Sequence, residues 1–424
     1  MKKKFITALA LTLAFVSSFS ACGGQTSNTK TVELDIPTYV DDRGVTIGIW
    51  NGSRHDLTDM DLYNLQQAGI DLLVGAAPQK ITELDLLTRS AEFGINVLLD
   101  QRPWKGFVPD YIDMENFWGY CVYDEPNMAQ LNVLKDMQAE YSKVMKDKMF
   151  FVNLLPSGGD GGVGFYDYVS SFVNEVNLPV LSYDNYSIMQ DELTGEIYIR
   201  DTYLFDFDVA SYAAKEAGVP LWYTLLTSDH LRYADPTTVE LEWQMYLAMT
   251  YGAEALIHYV YATHDPDYEY PIVNYLTGNP TPKYAKVKEA DATIRSWDHI
   301  YMNFDWLGTS NVYGTENNTG LLDWTIYNVD VDNFGTIVSA TSDQDVIIGH
   351  FEDADKNAGF MVTNVTAPVD DLDAKVSITL ADEYKGALII HEGVETIVAL
   401  TDGKLELEIE SGSAKFVIPL KEKK

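Results

Sequence analysis

The sequence is short of cysteine and of positive charge. Its 424 residues include two cysteines, Cys22 and Cys121, and 29 Lys and Arg residues against 64 acidic ones, for a formal net charge of −35. Because Cys121 falls within a predicted strand, we expect no intramolecular disulfide. Binding to the phosphate backbone of nucleic acids requires clustered Lys and Arg, so this balance argues against nucleic acid as a partner.

Sequence patterns for metal ions and for serine nucleophiles are also lacking. No His and Cys residues have zinc spacing, and no Gly-x-Ser-x-Gly sequence is present. Asp353–Asn357 imitates the start of a calcium loop, but Ala358 stands where that loop needs Gly and Asn364 where it needs Glu. We therefore interpret the segment as a hairpin turn and expect neither a metal ion nor another cofactor.

The first residues have the pattern of an export signal. A basic start precedes an apolar stretch, Phe5–Phe19, that is too short to span a membrane with ease, and Ser20–Cys22 follows. Small residues before a Cys resemble the lipobox of bacterial lipoproteins. The resemblance implies a signal peptide over residues 1–21, a lipid on Cys22, a tether over residues 22–44, and a protein anchored to the membrane outside the cytoplasm. An ordinary signal peptide is the alternative.

From Val45 onward, eight short apolar runs alternate with amphipathic stretches. The runs are Val45–Trp50, Ile70–Ala76, Ile95–Asp100, Phe117–Asp124, Met149–Leu155, Pro179–Tyr183, Pro220–Leu226 and Ala255–Tyr261. Such runs are typical of parallel strands buried on both faces. Eight strand–helix units over about 250 residues predict an α/β fold, a (β/α)8 TIM barrel, over residues 45–300. A doubly wound sheet is the competing fold, but no Gly-rich phosphate loop follows the first run.

Several helix ends can be read from single residues. Glycines at helix-to-strand junctions are expected to end the preceding helices. Asp235 is a predicted N-cap, with Pro236 at the first position of a helix that reaches about Thr250. The four junction glycines are Gly69, Gly94, Gly218 and Gly252.

After Trp297 the strand-like runs are no longer separated by helices. They are Thr336–Ala340, Asp345–Phe351, Ala358–Asn364, Lys375–Leu380, Ala387–His391, Thr396–Leu400, Lys404–Ile409 and Ala414–Leu420. Turn signals such as Asp402-Gly403 separate neighbouring runs. This pattern predicts a C-terminal antiparallel β-sandwich over residues 301–424.

In a TIM barrel the active site lies at the carboxyl ends of the strands, so the residues found there are the site candidates. Aromatic faces suit sugar rings, and polar groups suit sugar hydroxyls. Carboxylates suit proton transfer to a glycosidic oxygen. The predicted substrate-binding residues, which share these chemistries and a place on or near a strand, are Trp50, Asn51, Asp100, Trp104, Asp124, Asn153, Tyr186, Trp222, His230 and Tyr259.

The fourth run carries the most specific local signal. Its residues Gly119–Pro126, which end in Asp124-Glu125-Pro126, resemble the strand-4 motif Asn-Glu-Pro of the large clan of (β/α)8 glycoside hydrolases. The sequence resembles more closely a group of glycoside-hydrolase-like bacterial proteins. These have Asp-Glu-Pro at this place and a Ser-Tyr-Asp-x-Tyr segment on strand 6, which corresponds to Ser182–Tyr186 in this sequence. The resemblance implies that Glu125 is the general acid/base of an enzyme that hydrolyses a carbohydrate.

The sequence departs from this clan in two places. Asp124 replaces the clan's Asn, and no Glu stands at the end of strand 7, where the clan has its nucleophile. Asp184 or Asp229 then takes the role of second carboxylate, and strand spacing favours Asp184. We also expect strand alternation to turn Asp124 away from Glu125. Three functions remain open: a glycoside hydrolase, a non-catalytic carbohydrate-binding lipoprotein, and a spacer that displays the β-sandwich.

Overall fold

The computed structural model describes residues 33–39, 43–159, 161–266, 268 and 270–423. The predicted signal peptide and Cys22 lie outside these residues, so signal cleavage and lipidation stay predictions. Within the described part of the chain, no helix is long and apolar enough to cross a membrane.

Ten strands form the first part of the fold. They are β1 (Thr46–Trp50), β2 (Leu72–Ala76), β3 (Asn96–Asp100), β4 (Phe117–Asp124), β5 (Met149–Leu154), β6 (Leu181–Asp184), β7 (Ile188–Gln190), β8 (Ile197–Ile199), β9 (Leu221–Leu226) and β10 (Ala253–Tyr259). Eight of them close into a parallel barrel in the order β1-β10-β9-β6-β5-β4-β3-β2, while β7 and β8 pair as a separate hairpin. The predicted TIM barrel is confirmed, and each of its strands overlaps a predicted run.

Eight α-helices accompany the strands. They are α1 (Asp59–Gln67), α2 (Glu83–Glu92), α3 (Leu131–Val144), α4 (Phe165–Val176), α5 (Tyr203–Ala217), α6 (Thr238–Thr250), α7 (Pro282–Arg295) and α8 (Asp298–Tyr301) among the described residues. The four junction glycines have φ angles from 68° to 84°, the left-handed conformation that ends a helix without a Cβ clash. Asp235 is not the N-cap of α6. Thr237 caps it instead, in a reciprocal capping box with Glu240.

The C-terminal part is an antiparallel β-sandwich. Its strands are β11 (Phe304–Val312), β12 (Ile337–Ser342), β13 (Val346–Asp353), β14 (Ala358–Asn364), β15 (Ala374–Leu380), β16 (Tyr384–His391), β17 (Val394–Ala399), β18 (Lys404–Ile409) and β19 (Ala414–Lys421). Six pair in the order β11-β13-β14-β19-β16-β17, and three as β12-β15-β18. The sandwich was predicted, but β11 was not. The predicted hairpin turn joins β13 to β14, and Oδ1 of Asp353 accepts the backbone N–H groups of Asp355 and Asn357.

The barrel and the sandwich share one hydrophobic core, because strands of the six-stranded sheet contact α6. The indole Nε1 of Trp243 on α6 donates to the carbonyl oxygen of Asn364 on β14 at 3.0 Å. Gly349 on β13 allows a close approach, since a Cβ atom there would overlap the carbonyl oxygen of Thr250. A separate apolar cluster fills the barrel interior. We call the edge where the barrel strands end the barrel rim. The shared core and the apolar barrel interior together support this rim.

Candidate active site

Acidic residues gather where three neighbouring strands of the barrel end. Asp124 and Asp184 are the last residues of β4 and β6, and Asn153 lies on β5 between them. Asp184 is 4% exposed and Asn153 is 2% exposed. The amide Nδ2 of Asn153 donates to Oδ1 of Asp184 at 3.0 Å, and the hydroxyl of Ser182 donates to Oδ1 of Asn153 at 3.0 Å. The Asp184 carboxyl is therefore buried and fixed by a side chain that is itself fixed.

Glu125 follows β4 in an unusual backbone conformation. Its φ angle is 52°, which a residue with a side chain adopts at some cost, and its N–H donates to the carbonyl oxygen of Asn153 at 2.8 Å. The residue is exposed at the rim. Glu125 lies directly after the strand, and the charge of Asp124 acts on it.

The acidic groups perturb one another. Partial desolvation of the Glu125 carboxyl and then the charge of Asp124 raise its pKa. Burial raises the pKa of Asp184 well above its usual range, and the charges of Glu125 and Asp124 raise it further, against the hydrogen bond from Asn153. Glu125 and Asp184 thus lie close enough to interact, and both hold a proton more readily than free carboxyls do.

Arg102 compensates part of this negative charge. Its guanidinium donates to Asp100 through Nε at 3.0 Å and Nη2 at 2.7 Å, and to Asp124 through Nη1 at 3.0 Å. The pKa of Asp124 is raised by burial, while the charge of Arg102 and a hydrogen bond from Asn153 lower it. Asp100, a predicted substrate-binding residue, is therefore engaged with Arg102.

Tyrosine rings stand beside the carboxyl groups. Tyr186 and Tyr259 stack with centroids 5.5 Å apart, and Tyr233 meets Tyr186 edge-on at 5.5 Å. The pKa of Tyr186 is raised well above its usual range, first by burial and then by the charge of Asp184. The hydroxyls of Tyr259 and Tyr268 lie 3.1 Å apart. Flat rings next to paired carboxyls are what a pocket for a sugar ring requires.

His230 completes this aromatic group. It stacks on Tyr268 with centroids 4.7 Å apart and an interplanar angle of 7°. Its Nδ1 lies 2.9 Å from the carbonyl oxygen of Ser228, which can only accept, so Nδ1 carries a proton. Burial lowers the pKa of His230, so the ring is neutral near pH 7 and its Nε2 can accept a hydrogen bond.

The structure does not bring every predicted residue to this group. Trp222 is the second residue of β9 and packs inside the barrel against Trp118 and Phe151. Trp104 is 9% exposed and packs edge-on against Tyr141 of α3. Both rings serve the hydrophobic core, so we no longer assign them to the substrate.

The two predicted residues at the end of β1 are buried. Trp50 is 6% exposed, in the barrel interior, with the guanidinium of Arg102 6.0 Å from its ring centroid. Asn51 is fully buried, and its amide nitrogen and oxygen have no hydrogen-bond partner among the described residues. Trp50 therefore supports the site through Arg102, while Asn51 has no contact that assigns it a role.

Asp229 has a different function from Asp184. Its Oδ1 accepts the backbone N–H of Tyr270 at 3.0 Å, which ties the end of β9 to the segment after β10. His258, a further histidine near the predicted site, is fully buried and lies between Thr227 and Asp291, at 2.8 Å from each. It is a core histidine whose two ring nitrogens both have a partner.

Sequence reasoning missed three members of the site. Arg102 was visible at the end of β3, and its neighbour Asp100 was a candidate, but a cation shared by two carboxylates has no sequence signal. Tyr233 and Tyr268 lie on segments after β9 and β10. Only the folded chain shows that Tyr233 reaches Tyr186 and that Tyr268 reaches His230 and Tyr259.

Comparison with known proteins supports the fold. No protein-family model and no curated protein match the sequence. A solved structure described as a glycoside hydrolase matches with a TM-score of 0.55 at 10% identity, over 93% of this chain and 98% of that one. A β-galactosidase from Bacillus circulans matches at 9% identity with a TM-score of 0.48, over 68% of this chain and 61% of that one. A xylanase from Clostridium acetobutylicum matches at 12% identity with a TM-score of 0.37, over 90% and 97%.

These identities are too low to transfer an activity, and only the first TM-score exceeds 0.5. The first match shows that the chain shares the (β/α)8 fold of that solved structure. The match covers 93% of this chain, so it extends into the C-terminal β-sandwich.

Proposed function

We propose that this protein is a glycoside hydrolase that acts on a carbohydrate outside the cytoplasm, with Glu125 as general acid/base and Asp184 as second carboxylate. The observation that carries the proposal is the placement of these two carboxyl groups, Glu125 directly after β4 and Asp184 at the end of β6 where Asn153 holds it, beside the stacked rings of Tyr186 and Tyr259. Hydrolysis of a glycosidic bond uses two such carboxyl groups on either side of the bond.

The two groups differ in a way that suits different roles. Glu125 is exposed, and its raised pKa favours the protonated form that donates to the leaving oxygen. Asp184 is held by Asn153 in a fixed orientation. Its pKa is raised as well, so its assignment as second carboxylate rests on this orientation and requires the bound substrate to favour its ionised form.

The charge of the site favours a neutral glycan. Asp100 and Asp124 hold the guanidinium of Arg102, and Glu125 and Asp184 add two further acidic side chains to the site. A sugar acid would bring a further negative charge next to them without a free cation in this group to receive it. We therefore expect neutral oligosaccharides to be preferred over uronic-acid polymers.

A membrane location is part of the proposal and rests on the sequence. The basic start, the short apolar stretch and Cys22 together favour a lipid-anchored protein outside the cytoplasm. Carbohydrate at the cell surface would then be the substrate within reach.

A non-catalytic carbohydrate-binding protein is the second candidate. It is favoured by the absence of Glu at the end of β9 and by the burial of Asp184, which is only 4% exposed. In that case the rings of Tyr186 and Tyr259 and the acceptor nitrogen of His230 would bind a sugar that is not cleaved.

Screening the mature protein, residues 22–424, against neutral and acidic glycans separates the two candidates. We expect reducing sugar to be released from at least one neutral glycan, with turnover lowered by about 100-fold or more in Glu125→Gln. Glu92→Gln, on the exposed end of α2, is the matched control and should behave as the unaltered protein. Binding without release would favour the second candidate, and full activity of Glu125→Gln would remove Glu125 from the mechanism.

A further inference from the structure

A continuous chain of polar contacts crosses four neighbouring strands at the rim. It starts at Asp100 on β3, passes through Arg102 to Asp124 on β4, and continues through Asn153 on β5 to Asp184 on β6. One guanidinium therefore begins a chain that ends at the proposed second carboxylate.

We propose that Arg102 is a positioning residue that neutralises Asp124 and holds it against Asn153, so that Glu125 and Asp184 face an ion pair instead of a third free carboxylate. This inference rests on the proposed function. It also accounts for the departure of Asp124 from the Asn of similar enzymes, because the added negative charge comes with a cation that binds it.

The geometry favours positioning over substrate contact. All three guanidinium nitrogens of Arg102 donate to Asp100 or Asp124, at distances from 2.7 to 3.0 Å. The backbone N–H of Arg102 also donates to Asp100 at 3.1 Å, and the ring of Trp50 lies beside the guanidinium. A guanidinium that makes a bidentate contact with one carboxylate and a further contact with another keeps one orientation. It therefore has little freedom to move towards a ligand.

Without Arg102, the negative charge of Asp124 would have no cation in contact with it. That charge would then act in full on the carboxyl groups of Glu125 and Asp184. A like charge raises the pKa of a carboxyl group, and an opposite charge lowers it. The titratable groups that act on Glu125 or Asp124, or on which these two act, are Asp100, Arg102, Cys121, Asp184, Tyr186, Tyr233 and Tyr259. Arg102 is the cation among these groups. It contacts Asp124, the acidic neighbour of the proposed catalytic pair Glu125 and Asp184.

Three variants test the sign of this effect in the pH profile of kcat/KM. In Arg102→Met, the acidic limb and the basic limb of this profile should both move to higher pH by about one unit, because Asp124 becomes a free carboxylate. Asp124→Asn should move both limbs to lower pH, because the negative charge of Asp124 is removed while Arg102 stays paired with Asp100. The double variant Arg102→Met with Asp124→Asn should return both limbs close to their original positions. The matched control is Arg89→Met, which removes an arginine–aspartate pair with Asp59 on the outer helices and should shift neither limb.

Carboxyl carbon NMR of Glu125 and Asp184 measures the same order of shifts without any substrate. If the protein cleaves no glycan but the NMR titrations follow the order above, the proposed function fails and the charge-setting role of Arg102 stands. If Arg102→Met does not fold, Arg102→Gln replaces it, and a shift in the same direction supports the proposal because this variant also removes the positive charge. Unchanged titrations in a folded Arg102 variant would overturn the proposal.

Discussion

Asp184→Asn should make the protein more stable at pH 7 and above, although it removes a proposed catalytic group. The Asp184 carboxyl is 4% exposed and receives one side-chain hydrogen bond, from Asn153. A buried ion carries a desolvation penalty of several kcal/mol, and one charge-assisted hydrogen bond returns about 1.5–3 kcal/mol of it. The amide is neutral and still accepts from Asn153, so we expect a gain of roughly 1–2 kcal/mol in the free energy of unfolding.

The gain should depend on pH in one direction. Burial raises the pKa of Asp184 above its value of 3.8 in an unfolded chain, so the folded state binds more protons than the unfolded state. The contribution of Asp184 to stability is therefore complete below pH 3.8 and is lost as the pH rises through the folded-state pKa. Urea denaturation at several pH values should show equal stabilities near the acid end and a growing advantage for Asp184→Asn towards pH 8.

Asp345→Asn is a control with the opposite expected sign. Asp345 is fully buried in the sandwich, where Oδ1 accepts the N–H of Gly314 at 2.8 Å and Oδ2 accepts the N–H of Thr319 at 2.7 Å. An amide there would place its NH2 group against a backbone donor, and we expect a loss of about 1–3 kcal/mol. A loss of stability in Asp184→Asn at pH 8, of the size seen in Asp345→Asn, would refute the argument that Asp184 is a destabilising buried charge.

Three further predictions concern the site and the anchor. In Asp184→Ala, added azide should restore turnover with a glycosyl azide product, whereas near-normal turnover without azide would move the assignment to Asp229. Tyr259→Leu should raise KM for a glycan about tenfold with a smaller change in kcat, because the stacking face of a partly exposed ring, worth about 1–1.5 kcal/mol, is lost, and an unchanged KM would place the sugar elsewhere. Cys22→Ala should release the protein from membranes in detergent partitioning, and unchanged partitioning would count against lipidation.

The barrel was predictable because its strands are buried on both faces. Such strands form nearly continuous apolar runs, and the run Phe117–Asp124 coincides with β4 at both ends. The missed strand β11 has a different pattern. Its second half contains three consecutive polar residues, Thr309–Asn311, and a register shift between Trp306 and Gly308 interrupts the pairing with β13. A strand that is partly exposed and irregular does not give a continuous apolar run.

The site was predictable in outline because strand ends locate residues along the barrel axis. This reasoning placed Glu125, Asp184 and Asn153 at the rim, where the structure has them. The position of a residue along a strand does not tell whether its ring points into the barrel or away from it. Trp222 and Trp104 are near strands as expected, but one points into the barrel interior and the other packs against a helix.

The end of β9 explains why the second carboxylate is better placed on β6. The carbonyl oxygen of Ser228 binds Nδ1 of His230, which orients that ring against Tyr268, and Asp229 binds the backbone of Tyr270. Two consecutive residues at this strand end therefore hold the aromatic segments of the site in place. Asp229 anchors backbone at this strand end, whereas the charges of Glu125 and Asp124 act on Asp184. For this reason the proposed reaction assigns chemistry to β4 and β6, and support of the binding surface to the segment after β9.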